Sequence, residues 1–446
     1  MRRPSGEDAK GVLFLPGGCA LWADLACGAG LSVLFRLAPS LAWCFTVGLS
    51  DALSEGCFLG RRCLMSLFSV PAGSGARPSG MTDPDLSDLP GLSDFSALPG
   101  FRGSVGVSPS LAELADLAAL PKAEIHVHLE GTVSASTRRE LVAREGLHLP
   151  QTATDPAAIS LDAAPKSKNQ HKGWSLFEET FLATWSALCR PGDYARITAE
   201  YCEAAARQGV RYLEITMTPL GRFYDALGEA VAAAAQSPVS VQWIVDVPRH
   251  FEEKIGWDLL EQACSYPEVV ALGLGGPEDG HPPEPWAPVF AAAAARGLAA
   301  VIHAGEIAGP ASVLGAVDAL GACRIQHGVR CLEDPEGLAR VAAAGIPFAI
   351  CPTGNQLLGV VATFDEFPPA KLGEAGIAFS VNTDNPGLFE TSLLREYLIA
   401  GRLFDLDRAG YANLARASIE TSLAPAAIRQ SILADIDAWL AAGREV

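Results

Sequence analysis

From about residue 120 onward one order of segments repeats eight times. A short β-branched or apolar run is followed by a polar or glycine-rich turn and then by an alanine- and leucine-rich stretch of helical spacing. The apolar runs are AEIHVH (123–128), VRYLEITM (210–217), VSVQWIVDV (239–247), VVALGLG (269–275), LAAVIH (298–303), CRIQHG (323–328), PFAICP (347–352) and IAFSVNT (377–383). Helical runs such as DYARITAEYCEAAARQ, WAPVFAAAAARG and DPEGLARVAAAG lie between them. This alternation predicts an α/β fold, a (β/α)8 TIM barrel with extra helices after the first strand and at the C-terminus. A doubly wound open sheet is the structural alternative. The glycines of LGLGGPE favour it little, because they lack G-x-G-x-x-G spacing and no suitable acid follows.

A barrel of this kind gathers its chemistry at the C-terminal ends of its strands, and the sequence places polar residues there. The first strand ends in His126 and His128, the fifth in His303, the sixth in His327 and the eighth in Asp384. Strand side chains alternate, so His126 and His128 share a face and can both point into the barrel mouth. Three histidines and a carboxylate suit a borderline cation, Zn2+ above all, with a position left for water. Iron or manganese could use the same donors. Glu306, in HAGE, lies in the loop over such a site, where an acid can protonate a ring nitrogen while hydroxide attacks the neighbouring carbon. His327 is then free to orient or deprotonate the water. His148, His171, His250 and His281 fall in loops or at strand margins and are read as structural.

Bulk composition narrows the partners. The 446 residues carry a formal net charge of −18, which repels phosphate backbones and anionic membranes. A small neutral substrate remains compatible. None of the 11 cysteines forms a C-x-x-C pair, so reduced thiols in a cytoplasmic protein are expected, with Cys351 a buried thiol rather than a nucleophile.

Residues 1–80 differ from the rest, being rich in Gly, Leu, Cys and Ser and poor in acid. They read as a disordered or non-native extension, with Met81 as an alternative start. GVLFLPGGCALWA could be an apolar signal core, but Glu7 and Asp8 precede it and Pro-Gly-Gly interrupts it. Residues 81–119 read as a linker and leading helix, and 120–446 as the catalytic barrel. The long connection 129–209 contains GWSLFEETFLATW, whose Trp174, Phe177, Phe181 and Trp185 have the spacing of a helix packing over the mouth as a lid or wall.

The ordered set PKAEIHVHLEG, EITMTP, HAGE, RIQHGV, CPTGN and SVNTDNPGLF resembles the adenosine deaminase-like branch of the amidohydrolase superfamily. The resemblance runs from about Leu120 to the C-terminal helices. It implies one Zn2+ per chain on His126, His128, His303 and Asp384, with Glu306 protonating purine N1 and His327 steering the hydroxide. It also implies that the Gly276 backbone approaches the purine. The implied reaction replaces a purine 6-amino group with oxygen and releases ammonia. The H-x-E…P-C-x-x-C pattern of single-stranded nucleic-acid deaminases is absent.

Two departures bear on the substrate. Asn385 stands where adenosine deaminases usually have a second aspartate, thought to read purine N7, and an Asn amide donates directly. Glu130 stands where they usually have an aspartate contacting the ribose 5′ end. Enzymes of this branch that act on 6-amino-6-deoxyfutalosine, on the futalosine route to menaquinone, take a nucleoside whose 5′ side bears a benzoate. Arg222, in PLGRFYD, could meet that carboxylate. This substrate is therefore expected first, adenosine second and adenine third. A non-catalytic nucleoside-binding barrel is the reading from a different class, but it should lack a ligand or the acid, and neither is missing. A two-metal hydrolase would need a bridging lysine at the end of the fourth strand, where LGLGGPE offers none.

Overall fold

The computed structural model describes residues 11–14, 20–23, 32–36 and 42–46, then 110–149, 172–221, 224–361, 364 and 369–443. The chain divides into two compact units, Met1–Arg77 and Pro78–Val446. In the first, strands β1 (Gly11–Phe14), β2 (Ala20–Ala23), β3 (Ser32–Arg36) and β4 (Ala42–Thr46) pair antiparallel in sequence order. Apart from these strands, the expectations for residues 1–80 and for a linker up to residue 109 fall outside the described residues.

The second unit opens with the helix Leu111–Ala119, started by Ser110, whose hydroxyl accepts the Glu113 N–H. Eight strands follow: β5 (Lys122–His128), β6 (Val210–Met217), β7 (Ser240–Pro248), β8 (Val269–Gly275), β9 (Ala299–Ala304), β10 (Arg324–His327), β11 (Phe348–Ile350) and β12 (Phe379–Val381). They pair in sequence order, every pairing parallel. The ring closes just beyond β12, where Val127 bridges to Asp384. The expected barrel is the observed one, and the structural relatives described below share it. The predicted strand bounds for β6 and β8 are those observed, and the other six differ by one or more residues at one or both ends.

Alternation along the strands explains both the core and the site. Ala123, Ile125 and Val127 on β5 join Leu213, Ile215, Val245, Leu272, Leu274 and Ile302 in the main apolar core, facing the helices. The opposite faces point inside the ring, where Ile244, Ala271 and Val301 form a separate small apolar cluster. Beside them the interior also holds polar groups. Arg324 pairs with Glu214 and donates to the carbonyls of Ile125 at 3.1 Å and Thr421 at 3.2 Å. Both side chains are buried, so this pair is costly unless fully bonded, and Glu214 also accepts the Leu423 N–H and the Tyr212 hydroxyl. The helix Arg408–Glu420 packs against β5 and β12.

The connection after β5 holds a short 3-10 turn (Leu129–Thr132) and helices at Ala135–Arg144, Lys172–Ala187 and Asp193–Arg207. Trp174, Phe177 and Phe181 pack on Leu358, Leu388 and Phe389, with the Phe177 and Phe389 rings 5.3 Å apart. Leu388 and Phe389 lie in the short helix Pro386–Phe389 that begins two residues after Asp384, so this aromatic helix walls one side of the barrel mouth. Among the described residues no helix is long and apolar enough to cross a membrane.

Candidate metal and catalytic centre

His126 lies at the inner face of β5, fully buried. Its Nδ1 is 2.9 Å from the carbonyl oxygen of Ala349, an acceptor only, so Nδ1 carries the proton and the lone pair sits on Nε2. Nε2 is buried with no hydrogen-bond partner. Two residues on, His128 Nε2 lies 3.0 Å from His303 Nε2 and 3.4 Å from Asp384 Oδ1. His126 Nε2 is 3.6 Å from the same oxygen. Ligands held about 2.0–2.1 Å from one tetrahedral ion stand roughly 3.3 Å apart. The measured separations bracket that value, and an unpartnered buried nitrogen among them is what a cation would satisfy. Nitrogen-rich donors with a single carboxylate suit zinc. His327 also reaches this group: ligand-type atoms of His126, His303, His327 and Asp384 all lie within 4.8 Å of one another.

Asp384 is held from three sides. Its N–H donates to the His126 carbonyl at 3.0 Å, its carbonyl accepts the His128 N–H at 2.8 Å, and its Oδ1 accepts from Asn385 Nδ2 at 2.8 Å. Asp384 and His327 both adopt left-handed backbone, with φ of 62° and 67°. Such conformations are strained for residues with a side chain and persist where the surroundings enforce them, commonly at functional sites. The surroundings here include Glu124, which sequence reasoning passed over. Its Oε1 accepts both the Thr383 N–H at 3.1 Å and the Thr383 hydroxyl at 2.5 Å, and Tyr201 donates to its other oxygen.

Glu306 is buried beside this cluster, its Oε1 3.5 Å from His327 Nε2 and without a hydrogen-bond partner. Burial, then the negative charges of Asp384 and Glu278, push its carboxyl well above the usual range, against the Arg249 guanidinium. A carboxyl kept protonated in this way can donate. Burial drives His327 down to about 3 and His128 to about 4, so both rings are neutral near pH 7. Asn355 Nδ2 lies 3.1 Å from His327 Nδ1 and fixes that ring. Cys351 is a buried thiol 3.3 Å from His126 Nδ1.

The residues expected at the substrate lie around this centre. Gly276 follows β8 with φ of 86°, and a side chain there would come within 3.0 Å of His250 Nδ1. Glu130 is buried, its Oε1 accepting the Thr218 N–H at 3.2 Å and the Tyr194 hydroxyl at 3.4 Å. Asn385 packs its Oδ1 where a side chain on Gly131 would otherwise sit, and it turns its amide nitrogen toward Asp384. Arg222 lies outside the described residues. His148, His250 and His281 stand apart from the metal-type group, and His171 is outside the described residues.

Comparison with known proteins places this chain beside deaminases and an amidohydrolase. The family model for adenosine deaminase matches residues 121–439. An aminodeoxyfutalosine deaminase of Streptomyces avermitilis is 37% identical over 73% of this chain and 93% of its own length. An amidohydrolase from Burkholderia ambifaria, solved with bound Zn, has a TM-score of 0.66 at 25% identity, covering 79% of this chain and 100% of that one. An adenine deaminase from Arthrobacter aurescens has a TM-score of 0.63 at 26% identity, covering 72% and 99%.

Proposed function

The chain belongs to the adenosine deaminase family, and we propose that it is a zinc-dependent hydrolytic deaminase of 6-amino-6-deoxyfutalosine. The observation that carries the reaction class is the group formed by buried His126, His303 and Asp384 with partly exposed His128, beside the buried carboxyl of Glu306, which burial raises above its usual range. These four side chains would hold one zinc ion, which when bound supplies the charge that brings the pKa of a coordinated water toward neutrality. Glu306 donates its proton to N1 of the purine ring, which makes C6 electrophilic as the water oxygen adds there. His327, held by Asn355, orients that oxygen. The Gly276 backbone approaches the ring, and the wall made by Trp174, Phe177 and Phe181 limits water around it. His327 takes one proton of that water and passes it to the amino group, so that the C6–N bond breaks and ammonia leaves; the second proton of the water returns to Glu306, and the ring keeps the oxygen as a 6-oxo group with N1 protonated.

The choice of nucleoside rests on Glu130, on Arg222 and on the likeness to an aminodeoxyfutalosine deaminase. Glu130 is drawn toward Thr218 and Tyr194, which leaves the 5′ end of a nucleoside without the short acid that binds a free hydroxyl. Arg222 supplies the positive charge for a benzoate. Adenosine and then adenine are the second reading, favoured by the likeness to the Arthrobacter aurescens adenine deaminase. Steady-state kinetics on the three substrates, followed by loss of the 6-aminopurine ultraviolet band, decide between them. The expected kcat/KM is highest for aminodeoxyfutalosine. An equal or higher value on adenosine overturns the substrate assignment and leaves the reaction class standing.

A further inference from the structure

We propose that Glu278 is a positioning residue that fastens the loop bearing Gly276 to the loop bearing Glu306, so that the ring's two neighbours move as one piece. The inference rests on the reading of the site as a 6-aminopurine deaminase. Glu278 follows β8 by three residues and its side chain is buried. One carboxylate takes three amides of the loop after β9: Glu306 N–H on Oε1 at 3.1 Å, Gly305 N–H on Oε2 at 3.2 Å and Ala308 N–H on Oε2 at 2.9 Å. Its own backbone carbonyl accepts the His281 N–H at 3.0 Å, which fixes the β8 side of the joint.

Arg249, just after β7, interacts electrostatically with this carboxylate as well as with those of Asp246 and Glu306. Its guanidinium donates to the carbonyls of Leu274 at 3.3 Å and of His303. The clamp thus joins the ends of β7, β8 and β9. Its consequence for catalysis follows from the atom it leaves alone. Glu306 Oε1 is buried and has no hydrogen-bond partner, His327 Nε2 standing 3.5 Å away, so no side-chain hydrogen bond at that oxygen aims it. The aim of the acid is therefore set by its backbone, and the Glu306 amide is itself one of the bonds Glu278 makes. Three amide hydrogen bonds to one buried carboxylate are strong, directional constraints.

The test uses Glu278→Gln, which keeps the length of the side chain but turns an NH2 group toward some of the amides that now donate. Turnover of the 6-aminopurine nucleoside that the parent handles best should fall about 10- to 100-fold in kcat, with KM within about twofold and one metal ion retained per chain. Hydrogen exchange at Gly305, Glu306 and Ala308 should rise at least tenfold, a readout that does not depend on turnover. Unchanged kcat together with unchanged exchange overturns the inference. A parent enzyme inactive on every 6-aminopurine overturns the functional reading instead, while the exchange result still judges the clamp. Should Glu278→Gln fail to fold, Glu278→Asp keeps the charge and withdraws the oxygens by one methylene. A folded Glu278→Asp protein with parental kcat and exchange is equally fatal to the proposal.

Discussion

His126 gives its Nδ1 proton to the carbonyl oxygen of Ala349 at 2.9 Å, and so presents a bare Nε2 lone pair to the centre of the barrel mouth. A histidine fixed in this tautomer is prepared to bind a cation and poorly placed to do anything else. His303 on β9 and Asp384 just beyond β12 would share the same ion.

His128→Ala is expected to lose the metal. Inductively coupled plasma analysis should find well under 0.2 ion per chain, against about one for the parent. Full stoichiometry in the variant would remove His128 from the ligand set.

Removing the metal from the parent with a chelator should lower Tm on the order of 5 °C, because an ion bound at a hundredfold over its Kd stabilises the folded state by about 2.7 kcal/mol. Adding zinc back should restore Tm, and the shift should vanish in His128→Ala. Scanning calorimetry with and without chelator checks both.

Glu306→Gln keeps the shape of the acid but cannot give up a proton in the same way. Metal content should stay at one ion per chain, while kcat falls by about 10²–10⁴. Substantial residual turnover would place the proton donor elsewhere.

Glu130→Asp should withdraw the carboxylate from Thr218 and Tyr194 and raise the ratio of kcat/KM for adenosine over aminodeoxyfutalosine by roughly tenfold. Arg222→Ala should raise KM for aminodeoxyfutalosine and leave that for adenosine unchanged. Ratios that stay at the parental value in both variants would detach these residues from the 5′ pocket.

Arg324→Met leaves Glu214 as an uncompensated charge inside the barrel, and unfolding by urea should show a loss of about 3–5 kcal/mol. Pairing it with Glu214→Leu should recover most of that loss. A double variant as unstable as the single one would mean the remaining partners, Tyr212 and the Leu423 amide, set the cost.

The strand order and the metal-type residues were legible because both depend on local periodicity and on where a strand ends. His126 and His128 could be assigned one face from spacing alone, and Val127 between them, with Ile125 before them, confirms it by facing the helices. What escaped were groups whose role is made by tertiary contact. Glu124 stands inside the quoted EIHVH run, Glu278 inside GGPE and Asn355 inside CPTGN. Nothing in a linear reading says that the first will hold Thr383, the second the Glu306 loop and the third His327. The inward turn of Asn385 toward Asp384 was equally hidden, since it depends on the space left by Gly131. The left-handed backbone of His327 and Asp384 carries no sequence mark, because the residues that impose it come from other strands.

The closing contact of the ring is made beyond the short last strand, by the backbone bonds among His126, His128 and Asp384. A sheet that fails to close presents two open edges, and open edges invite pairing with other chains. The residues proposed to gather a cation therefore also keep β5 and β12 from becoming adhesive. Loss of the ion should show itself first in turbidity on gentle heating, before any loss of helix signal, with the seam between first and last strands as the place where intermolecular association begins.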